Sequence, residues 1–109
     1  MKVRVASGKV VLNKDEVIGV GTTAASPLVD NGNRASFVLQ NVGTSKVYVR
    51  MGAAPVINGA NKYYSFILPP ASGDEEGDGG VVTVEDYQGK VYVVTASGSS
   101  TLIVTEFIR

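Results

Sequence analysis

The stretch Asp74-Glu75-Glu76-Gly77-Asp78-Gly79-Gly80-Val81-Val82-Thr83-Val84-Glu85 comes nearest, in residue type and spacing, to a chemical site. A helix-flanked calcium loop places oxygen ligands at its first, third, fifth and twelfth positions, with glycine at the sixth for a sharp turn. Counted from Asp74, acids occupy those four positions, Gly79 the sixth and Val81 the eighth. Two departures stand against calcium. Glu76 sits where a shorter Asp or Asn is usual, and Pro69-Pro70 with a Val-rich alternation replace the flanking helices. Asp74, Asp78 and Glu85 are thus the calcium candidates, for this or another hard-cation site. The context favours a solvated loop whose like charges discourage edge-to-edge association, and no metal or cofactor is expected.

Glu85 and Asp86 are adjacent carboxylates, a pairing that can serve acid/base chemistry. On a strand, however, neighbours point to opposite faces and do not converge on one atom. The chain has no His, which removes the commonest general base and metal ligand, and no Cys, which removes thiolate chemistry and disulfides. Ser and Thr nucleophiles therefore lack a histidine partner, and Ser97-Gly98-Ser99-Ser100 has the composition of a turn. The expectation is a protein that is not an enzyme.

Tyr48, Tyr63, Tyr64, Tyr87 and Tyr92 could instead form a sugar-binding or base-stacking platform. Trp is absent, which weakens the sugar reading. Tyr48 lies between Lys46 and Arg50 in a setting that could stack bases, yet two-faced alternation produces the same triplet. Ten Lys and Arg balance ten Asp and Glu, so no global field draws the chain to nucleic acid or anionic lipid. Neither partner is expected. No apolar window reaches the roughly 20 residues of a membrane-spanning helix, and Met1-Lys2-Val3-Arg4-Val5 opens no signal peptide. The expected protein is soluble or attached to something larger.

The elements that must position these groups are strands. At 109 residues the chain suits one domain. Val, Ile and Thr number 31 against 5 Leu, and branching at Cβ suits a pleated surface better than a helix. Gly and Pro fall mostly between the Val-rich runs, as turns require. Residues 1–34 contain short apolar pieces (Val3, Val5, Val10–Leu12, Val17–Val20) and the turn Asp30-Asn31-Gly32-Asn33, and read either as an extended arm or as edge strands.

Residues 35–109 read as the sandwich core. Phe37 and Leu39 alternate with Ser36, Val38 and Gln40; Val47, Val49 and Met51 alternate with Lys46, Tyr48 and Arg50. These two runs suggest a hairpin turning at 41–45. Further strands are expected at Tyr63–Leu68, ended by Pro69-Pro70, and at Val81–Glu85, Lys90–Thr95 and Thr101–Phe107. The connections 86–89 and 96–100 are short enough for antiparallel neighbours. The inward positions should include Phe37, Leu39, Val47, Val49, Val91, Val93, Leu102 and Val104. Lys-Val-Tyr-Val occurs at 46–49 and at 90–93, either as a duplicated unit or, the plainer reading, as second strands of two hairpins. The expected fold is all-β: an antiparallel, jelly-roll-like β-sandwich of about seven to nine short strands.

Thr22-Thr23-Ala24-Ala25-Ser26-Pro27-Leu28, Arg34-Ala35-Ser36-Phe37-Val38-Leu39-Gln40-Asn41-Val42-Gly43 and Val47-Tyr48-Val49-Arg50-Met51-Gly52 form a diffuse pattern, with Val91-Tyr92-Val93 and Leu102-Ile103-Val104 closing it. Over residues 22–107 the chain resembles small β-sandwich accessory virion proteins of tailed bacteriophages, of capsid-decoration or head-fibre type. The resemblance implies a non-enzymatic structural component of the virion, assembled in the host cytoplasm. Its implied partners are further copies of itself, a trimer among the options, and the major capsid or another virion protein. It brings no catalytic residues. The alternative from another class is a carbohydrate-binding or adhesion domain that contacts a host receptor through Tyr63, Tyr64 or Tyr87, with calcium at the acidic loop as an option.

Overall fold

Residues 35–41 alternate between buried and half-buried without a break, the burial pattern of a strand with one face turned to a core. The computed structural model describes residues 10–73 and 77–109. Within them lie eight strands and no helix: β1 (Val11–Val20), β2 (Ala25–Leu28), β3 (Arg34–Asn41), β4 (Val47–Met51), β5 (Phe66–Leu68), β6 (Val81–Glu85), β7 (Val91–Val94) and β8 (Ser100–Ile108). They form two four-stranded antiparallel sheets, ordered β1-β8-β3-β6 and β2-β7-β4-β5. That order is the jelly roll of two interleaved Greek keys.

All eight positions expected to point inward are completely buried. Phe37, Leu39, Leu102 and Val104 line one sheet; Val47, Val49, Val91 and Val93 line the other. Val20 and Leu28, from the first 34 residues, complete the same core. There β1 and β2 each form one of the two edge strands of their sheets. Residues 1–9, with Val3 and Val5, lie outside the described residues.

The strand neighbours correct three expectations. β3 and β4 are not a hairpin, because they belong to different sheets. Their apolar faces cover each other across the core, which removes both from water at once, whereas side by side both would need a third element. The same holds for the strands joined by 86–89 and by 96–100, which also cross between the sheets. The two Lys-Val-Tyr-Val segments are not second strands of separate hairpins either. They fall on β4 and β7, which pair directly, with Tyr48 opposite Val94 and Arg50 opposite Tyr92.

Two buried polar centres hold the ends of β3. At its start, Arg34 donates through Nε to Glu106 Oε2 at 2.6 Å, through Nη1 to the carbonyls of Tyr87 and Gly89, and through Nη2 to that of Val29. At its end, the Asn41 amide donates to the carbonyls of Ser45, Leu68 and Pro69, while its Oδ1 accepts from the Gly43 amide and from Ser100 Oγ at 2.6 Å. Satisfying every polar atom is the condition for burying such groups. Asn41 thereby turns the chain off one sheet and onto the other. A Cβ on Gly43 would fall on Ser100 and the Thr101 amide, so this turn requires glycine.

Candidate functional site

The acidic loop does not assemble a cation site from its described residues. Asp74 lies outside them, as do Glu75 and Glu76. Asp78 accepts a 2.8 Å hydrogen bond from the Ser72 amide, and hydrogen bonds from Ser72, side chain first and then backbone, hold its carboxyl below the usual range. Glu85 ends β6, opposite Ser36. A strand advances about 3.3 Å per residue, so the extended backbone carries Glu85 away from Asp78 where a helical turn would have brought it back. Among the described residues no three carboxylates converge. Asp86 follows Glu85 with φ of 63°, breaks the strand, and pairs at 2.7 Å with exposed Arg109.

The tyrosines are brought together only in part. β4 alternates Val47 and Val49 inward with Tyr48 and Arg50 outward. Tyr64 meets Tyr48 edge to face, with centroids 5.3 Å apart and planes at 72°, a favoured geometry for aromatic pairs. Arg50 lies 5.4 Å over the ring of Tyr63 and donates through Nη1 to the Ala54 carbonyl at 3.2 Å. Tyr92 stands opposite Arg50 on β7, and Ile67 opposite Tyr48 on β5. Tyr87 is elsewhere: its ring packs against the core and its hydroxyl donates to the Lys90 carbonyl.

Loop 52–65 supplies Tyr63 and Tyr64. It is closed by paired backbone hydrogen bonds between Val56 and Tyr63, both 2.8 Å, and folds back over the outer surface of the β2-β7-β4-β5 sheet. Val94, directed outward like Tyr92 by the alternation of β7, is buried at the margin of an open groove of about 310 Å³ that it shares with Pro55, Val56 and Asn58. No titratable side chain lines this groove.

Topology exposes a charge separation hidden by the neutral total. All ten acids lie outside residues 42–73 and 87–105, the segments that carry β4, β5, β7 and loop 52–65. Those segments contain Lys46, Arg50, Lys62 and Lys90. The described acids Asp15, Glu16, Glu85 and Glu106 lie on strands of the other sheet.

No family model, curated protein or solved structure matches this chain.

The outer face of the β1-β8-β3-β6 sheet differs in character. Val17, Ile103, Gln40 and Val81 stand in register across all four strands, and Asp15, Thr105, Val38 and Thr83 form the next row. Val17 is 68% exposed and Val81 60%. The Lys46-Tyr48-Arg50 triplet was legible in the chain as one face of a strand. The exposed row was not, because its members come from four separate segments.

Proposed function

We propose that this chain is a non-enzymatic structural module, an accessory virion component of capsid-decoration or head-fibre type that works by presenting surface. The supporting observation is the outer face of the β1-β8-β3-β6 sheet, where exposed Val17 and Val81 stand on the two edge strands of a row completed by Ile103 and Gln40. Exposed apolar side chains gathered on one sheet face suit a contact surface. The four strands of 10, 9, 8 and 5 residues, at about 3.3 Å per residue and about 4.8 Å apart, present roughly 500 Å², less than the roughly 800 Å² that each partner contributes to a standard interface. The occupant we assign to this face is the shell of a particle, since weak contacts become strong when many copies bind one lattice. The virion part of the reading rests on the sequence resemblance; the lack of His and Cys supports the non-enzymatic part.

The test combines light scattering on the pure protein with binding to particles assembled without it. Self-association and saturable binding, both weakened by Val17→Lys with Val81→Lys, are expected. A monomer that does not bind such particles would overturn the reading.

A further inference from the structure

The opposite sheet carries a second surface, independent of the face just described. From it we infer a binding site for an acidic glycan, a sugar chain bearing carboxylates, on the outer surface of β4, β5 and β7 under loop 52–65.

Three observations converge. First, the paired Lys-Val-Tyr-Val strands run antiparallel, which places Tyr48, Arg50 and Tyr92 in the middle of the face and Lys46 and Lys90 towards opposite ends. At about 3.3 Å per residue the two lysines are separated by roughly 20 Å along the strand direction, the span of a short oligosaccharide. Second, the aromatic groups are available. Tyr63 is 51% exposed and Tyr64 38%, and among the described residues no hydrogen bond to protein engages the hydroxyl of Tyr48, Tyr63 or Tyr64. Each ring offers an apolar face for the C–H side of a sugar and a polar tip for its hydroxyls. Third, Arg50 is held in place by the Tyr63 ring and the Ala54 carbonyl. One of its five N–H groups is used there, and the planar fork suits a carboxylate.

Charge complementarity selects the occupant. Arg50, Lys46, Lys62 and Lys90 face no acid on this sheet or its loop, so a neutral sugar would leave them unanswered. Single-stranded nucleic acid is also polyanionic, but it is held by bases stacked in succession on parallel rings along a basic groove. Tyr48 and Tyr64 are nearly perpendicular and present no such succession of parallel rings. The surface therefore fits discrete carboxylates between hydroxyl-rich rings better than a run of phosphates.

Calorimetric titration of the full chain with a galacturonic acid pentamer, a neutral galactose pentamer and an oligothymidylate tests the site. The uronate is expected to bind, more weakly as salt is raised, with little binding of the other two. Arg50→Gln and Tyr64→Ala should each lower uronate affinity about ten-fold, with melting temperatures followed to show that both variants fold. Lys46→Gln with Lys62→Gln, both exposed, provides a second test that leaves packing intact. No uronate binding at millimolar concentration, equal binding of the neutral pentamer, or tighter binding of oligothymidylate would each overturn the inference. None of these outcomes bears on particle binding through the other sheet.

Discussion

Arg34 Nε and Glu106 Oε2 meet at 2.6 Å in the interior, with the two side chains 0% and 4% exposed. The pair joins the first residue of β3 to the third residue from the end of β8. Glu106 also accepts from Asn13 Nδ2 at 2.7 Å, where the register of β1 against β8 shifts between Leu12 and Lys14. One carboxylate thus ties three strands of one sheet, and Arg34 links them to the β6–β7 connection through the carbonyls of Tyr87 and Gly89.

Removing one partner of such a pair leaves a buried charge uncompensated. Arg34→Met should destabilise the protein by about 3–5 kcal/mol, measured by urea unfolding. Arg109→Ala, which breaks the exposed pair with Asp86, should cost about 0–1 kcal/mol. Similar losses in the two variants would show that Arg34 carries no special weight.

Acid should unfold the protein partly through Glu106. Burial raises its pKa, but hydrogen bonds from Asn13 and Arg34, with the charges of Arg34 and Lys14, outweigh that and hold it below the ordinary value of 4.5. A depressed folded-state pKa contributes stability above the unfolded value, and that contribution is lost as pH falls through the folded one. Stability should therefore decline below about pH 4.5, and Glu106→Gln should flatten this part of the curve. An unchanged acid limb in the variant would assign the decline to other carboxylates.

The facial assignment of the strands predicts opposite outcomes for inward and outward apolar residues. Leu39→Ala should destabilise by about 2–5 kcal/mol through lost transfer energy and a cavity, and Val93→Ala should also lower the melting midpoint. Val17→Ser, on the bare outer face, should stay within about 0.5 kcal/mol. Loss of stability at Val17 with none at Leu39 would invert the sheet.

Calcium should leave the melting temperature unchanged, because Asp78 is occupied by Ser72 and Glu85 is carried away on β6. A ligand that binds only the folded state raises stability by RT ln(1 + [L]/Kd). A calcium-dependent rise that vanishes in Asp78→Ala would establish a metal site in the loop.

What could be read from the chain was local. Alternation at period two identifies Phe37, Leu39, Val47, Val49, Val91, Val93, Leu102 and Val104 as inward, because the side-chain direction of a strand depends only on its own backbone. The outward Lys46-Tyr48-Arg50 triplet was legible for the same reason, and the β-branched excess pointed to sheet before any strand was placed. Strand neighbours were not legible, since any two apolar faces can be covered side by side or face to face. Only the assembled core put β3 and β4 on opposite sheets and set the two Lys-Val-Tyr-Val strands beside each other. Tertiary structure likewise joined Arg34 to Glu106, gathered Val17, Ile103 and Val81 into one surface, and separated the charges. Each depends on contacts between residues distant in the chain, and local propensity carries no term for these.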